Sequence, residues 1–164
     1  MSDVTIRAET EDDIDGVLDV LEAVAAEGRW IGSEAPIDRA ARGESMRSSL
    51  GDPSTFAGFV ADAEGTVVGS IGLSLAPYGV VDLGMAMLDG YRGCGIGTRL
   101  LDLGVGWARQ VGAHKMALQV WPHNERAIGL YKKAGFTEEG RLVQHYRRRN
   151  GELWDAVVMG LLLD

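Results

Sequence analysis

The segment Tyr91-Arg92-Gly93-Cys94-Gly95-Ile96-Gly97-Thr98 sets three glycines at alternate positions between an apolar run and an amphipathic one. Glycine permits backbone angles that other residues resist, and it removes side chains that would hold an anion away from the amides. If a helix starts here, its first amides lack intrahelical partners and carry the positive end of the helix dipole. Such a turn holds a phosphate or pyrophosphate through backbone N–H groups. Arg92 and Arg99 add positive charge. The spacing is not G-x-G-x-x-G, and no acidic residue stands at a strand end about 20 residues on, which disfavours a dinucleotide site. It is not G-x-x-x-x-G-K-[ST] either. The alternative is a tight strand-to-helix turn with no ligand.

The elements that position this turn belong to a chain of 164 residues, long enough for one domain with a real core. Hydrophobic content of 46% and charged content of 24% are globular values. Sixteen Lys+Arg against 24 Asp+Glu give a formal net charge of −8, which argues against nucleic acid as a partner. No apolar run approaches the roughly 18 residues of a membrane span. The opening MSDVTIRAETEDD has neither basic patch nor apolar core, so the expectation is a cytoplasmic protein. One cysteine, Cys94, excludes an internal disulfide framework, and three scattered histidines make a metal site improbable.

Val4-Thr5-Ile6-Arg7 alternates as a half-buried strand does. Thr10 and Asp13 then precede an apolar period, Ile14, Val17, Leu18, Leu21, Val24 and Ala25, which reads as a helix ending near Gly28. Trp30 to Glu34 is a loop, and a weaker helix follows from about Pro36 to Leu50. Thr55–Ala61 and Thr66–Leu75 flank Glu64-Gly65 as a hairpin, and Val80–Leu88 is a third strand. A helix from Gly95 to Val111 carries Ile96, Leu100, Leu103, Trp107 and Val111 on one stripe. Met116–Trp121 is a short strand and Asn124–Ala134 a helix stopped by Gly135. Phe136–Arg149 and Leu153–Leu163 form a last hairpin about Asn150-Gly151, expected as a type I′ turn. The order predicts an α/β domain with a mixed sheet and helices on both faces. Its two β–α–β passages imply parallel pairing by right-handed crossovers.

Arg92-Gly93-Cys94-Gly95-Ile96-Gly97 resembles the [RQ]-x-x-G-x-[GA] pattern of the GCN5-related N-acetyltransferases. Asn124 to Phe136 resembles that family's N-x-x-A-x-x-L-Y-x-x-x-G-F segment, in the expected order. The terminal Asp155-Ala156-Val157-Val158-Met159 and the opening Ile6-Arg7-Ala8 agree as well, so the likeness spans nearly the whole chain. The resemblance implies a mostly antiparallel sheet splayed at its middle strands, with acetyl-CoA or another acyl-CoA as donor. Arg92, Gly93, Cys94, Gly95, Ile96, Gly97 and Thr98 would then hold the pyrophosphate. The backbones of Met87 and Leu88 would pair with the pantetheine arm, the Leu88 N–H facing the thioester carbonyl. Asn124 and Tyr131 would contact the lower coenzyme.

Amine attack on a thioester needs a neutral amine, a proton acceptor, an oxyanion donor and a fate for the thiolate. Tyr131 shares one helix face with Asn124 and Ala127. The resemblance implies that its hydroxyl stands near the coenzyme, as the candidate general acid; by spacing alone it reads as a buried aromatic anchoring the helix. The base is left among Glu34, Asp82, His123 and a water chain; by strand alternation Asp82 shares a face with Gly84 and Ala86. Cys94 lacks an adjacent base, so no acetyl-enzyme is expected. Arg147-Arg148-Arg149 reads as a solvated sheet edge. Trp30, Glu34, Tyr78 and His145, in loops and hairpins beside the expected cleft, are the acceptor-pocket candidates. The favoured acceptor is a small-molecule amine, an amino acid or polyamine. The alternatives are a protein lysine or N-terminus, and a non-catalytic acyl-CoA sensor. The C-terminal hairpin would be the place for a homodimer contact.

Overall fold

The computed structural model describes residues 3–164. The chain runs β1 (Val4–Ala8), a 3-10 turn (Glu11–Asp13), α1 (Ile14–Glu27), α2 (Arg39–Leu50), β2 (Phe56–Ala63), β3 (Thr66–Leu75), β4 (Val80–Met87), α3 (Ile96–Gln110), β5 (Lys115–Val120), α4 (Glu125–Lys133), β6 (Thr137–Arg147) and β7 (Leu153–Leu162). One seven-stranded sheet has the order β1-β2-β3-β4-β5-β7-β6. Every neighbouring pair is antiparallel except β4–β5. The first β–α–β passage gives the expected parallel pair. The second does not, because β7 inserts between β5 and β6.

Helices cover both faces. On one, Val17, Val20 and Val24 of α1 pack with Val60, Val67 and Ala86 of the sheet. On the other, Leu100, Leu101 and Ala108 of α3 join Leu73, Val81, Met116 and Met159. Each fully buried aliphatic side chain contributes about 1.5–3 kcal/mol. The buried stripe of α3 is Ile96, Leu100, Leu101, Gly104 and Ala108, rotated from the expected one, and Leu103 lies outside. Gly104 sets the rotation. A Cβ there would stand 2.9 Å from Leu73 Cδ2 and 3.3 Å from Ile71 Cδ1, so the helix lies too close to the sheet at this point for a side chain.

Local chemistry fixes the boundaries. Asp13 takes both guanidinium arms of Arg7, at 2.7 and 2.8 Å, and the Thr10 amide at 2.8 Å. Those bonds hold its carboxyl down at about 2 and anchor the entry to α1. Asp38 caps α2 by accepting from the Ala41 amide, so that helix begins at Arg39 and not at Pro36. The last hairpin is not type I′. Only Gly151 has positive φ, and the Gly151 amide reaches the Arg148 carbonyl while the Arg148 amide reaches Glu152. That is a three-residue loop closed by a left-handed glycine.

Strands β4 and β5 pair only over Val80–Asp82 and Lys115–Ala117. Beyond Asp82 the two strands diverge while β4 stays paired with β3 as far as Met87. A cleft opens there.

Candidate active site

The β3–β4 ladder decides which backbone groups face the cleft. Ala76 N–H donates to the Val80 carbonyl and Leu88 N–H to the Val68 carbonyl, both at 2.9 Å. In an antiparallel pair such residues alternate, so the even-numbered residues of β4 turn their amides and carbonyls to β3. Leu88 is therefore spent within the sheet and does not face a thioester. The odd-numbered residues face the other way. Val81 is consumed by β5, and the Met87 carbonyl accepts from Arg92 Nε at 2.9 Å. Met85 and the Met87 amide are left on the open edge.

The cleft measures about 440 Å³, and its walls include Leu83, Met85, Gln119, Trp121, Asn124, Ala127 and Tyr131. Tyr131 is buried, and its ring packs 5.7 Å from Phe136. Burial pushes its phenol up to about 12. Its hydroxyl has no hydrogen-bond partner among the described residues, yet no fully buried side-chain polar atom is unpartnered there, so the hydroxyl opens on the cleft. Asn124 caps α4, its side-chain oxygen accepting from the Ala127 amide, and lines the cavity.

The glycine turn stands at one end. Gly93 and Gly95 adopt φ of 74° and 87°, which side-chain-bearing residues resist. Gly95 precedes the free first amides of α3, those of Ile96, Gly97 and Thr98. Cys94 is exposed, its Sγ donating to the Tyr91 carbonyl. The expected cations of the turn are engaged elsewhere. Arg92 makes a two-armed pair with Glu27 at 2.9 and 2.6 Å, and Arg99 reaches the Val4 carbonyl. Arg126, which the sequence reading missed, lies over the turn instead. Its Cζ would be 3.9 Å from a Cβ on Gly93. The signal for it was its place in the first turn of the helix after the Asn cap.

A strap of loop crosses the other end. Trp121 Nε1 donates to the Ile31 carbonyl at 3.2 Å, Arg148 Nη1 to the Gly32 carbonyl at 3.0 Å, and the Arg149 amide to Glu34 Oε2 at 3.0 Å. Arg148 is buried, not solvated as expected, and its guanidinium lies over the rings of Trp121 and Trp154. Glu34 is thus a fastening for the loop. Trp30 lines the cleft with its Nε1 on Glu27. His123 bonds the Arg29 carbonyl and meets the Trp154 ring edge to face. Tyr78 is 71% exposed in the β3–β4 turn, and His145 is exposed on β6; neither is among the side chains lining the cleft.

Asp82 lies on the opposite face of β4, in a second cavity of about 460 Å³ beneath α1 and α2. The two cavities share Ile31, Leu83, Gly84 and Met85, so they meet at the open edge of β4. Glu9 lines the second cavity as well. Burial, aided by the charge of Asp13, raises its carboxyl to about 7. Arg42 and Asp82 are the other charged side chains on the cavity wall. The folded chain holds the Glu9 proton longer than the unfolded chain, so stability falls as pH rises from about 4.5 to about 7. Glu9→Gln should remove that loss. Allowing for partial solvation, the variant should be about 1 kcal/mol more stable than wild type at pH 8, and equal to it at pH 4.5. Thermal melts at the two pH values check this, and equal melting temperatures at pH 8 would count against it.

A sheet splayed beside a glycine-turned helix N-terminus, with free backbone on one lip and a tyrosine on the other, is the architecture of an acyl-CoA-dependent N-acetyltransferase. The chain belongs to the acetyltransferase (GNAT) family, whose family model matches residues 20–136. It is 30% identical over 159 residues to an L-methionine sulfoximine/L-methionine sulfone acetyltransferase of Pseudomonas aeruginosa, covering 93% of this chain and 90% of that one. It is 38% identical over 102 residues to an N-alpha-acetyltransferase of Sulfurisphaera tokodaii, over 54% of this chain and 60% of that one. Among solved structures, a phosphinothricin acetyltransferase from Sinorhizobium meliloti in complex with AcCoA superposes with a TM-score of 0.86 at 22% identity, covering 99% of this chain and 89% of that one. No helix among the described residues is long and apolar enough to cross a membrane.

Proposed function

We propose that the β4–β5 cleft moves an acetyl group from acetyl-CoA to the primary amine of a small molecule, by direct attack with both substrates bound. The observation that carries this reading is the free Met85 backbone opposite the hydroxyl of Tyr131, in a cleft that ends at unpaired helix amides. The residues present suit the donor. Glycines at 93 and 95 bare the amides for a pyrophosphate, Arg126 stands beside them, and the free edge of β4 offers amide-to-amide pairing to a pantetheine arm. Acetyl-CoA supplies an activated carbonyl and a thiol leaving group.

The chain's own groups do the rest. The Met85 N–H donates to the carbonyl oxygen as negative charge develops on it. The amine nitrogen bonds to the carbonyl carbon, the carbon–sulfur bond breaks, and the nitrogen gives up one proton. Water in the joined cavities carries that proton, with Asp82, on the strand that bears Met85, one of the two carboxylates on their wall beside Glu9. The Tyr131 hydroxyl donates a hydrogen bond to the departing sulfur. Glu34 is assigned to holding the loop, since it accepts from the Arg149 amide and is not among the residues lining either cavity.

The relative from Pseudomonas aeruginosa is named for amino-acid analogues, which supports a small amine over a protein. Thiol release from acetyl-CoA should depend on added amine, and should rank amino acids and polyamines above lysine peptides. A ranking led by lysine or N-terminal peptides would favour protein acetylation. Binding of acetyl-CoA with no amine-dependent release would favour a sensor.

A further inference from the structure

Strand register puts three glycines in a row across the sheet: Gly58 of β2 opposite Gly72 of β3, and Gly72 opposite Gly84 of β4. The flanking rows on that face are Phe56–Ser74–Asp82 and Val60–Ser70–Ala86. The glycine row is a trench in the floor of the cavity beneath α1 and α2. A Cβ on Gly84 would meet nothing within 4 Å, and one on Gly72 only the Phe56 ring at 3.8 Å. At Gly58 the trench is closed, because a Cβ there would stand 2.8 Å from Glu9 Oε2. The Glu9 carboxyl therefore occupies the far end, two strand spacings or about 10 Å from β4.

Nothing among the described residues answers that carboxyl. Among the described residues no side chain pairs with it or donates to it. Arg42 lines the same cavity, but its Nη1 donates to Ser33 Oγ at 2.9 Å. A half-buried carboxylate without a partner is costly, and an ammonium is the group that offsets the cost. Val17, Leu21 and Met46 roof the trench, suiting a methylene chain, while Ser70 and Ser74 on its banks offer acceptors to an amine within that chain. A carboxylate on the acceptor would instead face Glu9 and Asp82, with Arg42, bonded to Ser33 Oγ, the one cation among the side chains lining the cavity. Resting on the function proposed above, we infer that the acceptor is a linear diamine or polyamine. One nitrogen stands at the open edge of β4, and Glu9 receives the second ammonium at the trench end.

Calorimetry at pH 8 with 1,8-diaminooctane and 1-aminooctane tests this without requiring turnover. Wild type should bind the diamine at least about tenfold more tightly than the monoamine. Glu9→Gln should bring the two within about twofold, leaving monoamine affinity unchanged. Gly72→Ala, whose methyl has room, should weaken the diamine by narrowing the floor. Equal affinity of wild type for the two amines, or binding of neither, would overturn the inference. So would a diamine preference that survives both substitutions. A separate titration with acetyl-CoA keeps the two readings apart: its failure to bind would sink the transferase mechanism while the diamine result stood.

Discussion

Tyr131→Phe should lower kcat by about 10²-fold or more while acetyl-CoA affinity stays within about twofold. The substitution keeps the ring against Phe136 and deletes one oxygen that opens on the cleft. With its phenol pushed up to about 12, Tyr131 remains protonated throughout the working range and is a standing hydrogen-bond donor. A thiol has a pKa near 8.5, so full proton transfer from the phenol to a thiolate runs uphill by roughly 3.5 units. The hydroxyl is therefore expected to act by bonding to sulfur as charge accumulates there, with water settling the final proton. The pH profile should show no basic limb from Tyr131 below about pH 11. Single-turnover rates with saturating acetyl-CoA make the measurement. An unchanged kcat would reduce Tyr131 to a packing residue.

The second large effect is expected at the glycine turn. Gly95→Val places a β-branched side chain at φ of 87°, costing on the order of 1–2 kcal/mol or more in backbone strain. Relief of that strain must tilt the Ile96, Gly97 and Thr98 amides. Acetyl-CoA affinity should fall by about 10–100-fold, the loss of one or two charge-assisted hydrogen bonds. Gly112, at φ of 82° beyond the far end of α3, supplies the control. Gly112→Val carries comparable strain and should lower the melting temperature similarly without touching donor affinity. Equal donor affinity in the two variants would remove the turn from the binding site.

Much of this was legible in the residues. Periodicity and turn glycines gave the type and order of every strand and α-helix, and the Gly93–Gly97 spacing located the strand-to-helix turn proposed to hold the donor's pyrophosphate. What remained hidden depends on pairing. Alternation along Val80–Leu88 tells which side chains share a face, but only the ladder to β3 tells which amides remain free; hence Leu88 was named and Met85 was not. The crossover of β7 into the sheet is likewise a long-range choice that local patterns do not record. Arg92 belongs to the turn in sequence but pairs with Glu27, 65 residues away. Glu9 gave no signal, because its setting is a glycine row assembled from three separate strands.

The short β4–β5 junction has a mechanical consequence. Three rungs join two plates, β1–β4 and β5–β7, each laced internally by long antiparallel ladders. The loop from Ile31 to Glu34 buttons the plates together at the other end, through Trp121, Arg148 and Arg149. Opening the mouth thus requires breaking a few side-chain bonds to one loop and none of the sheet. Loosening that loop would free the mouth at the cost of those few bonds and leave the antiparallel ladders of both plates paired.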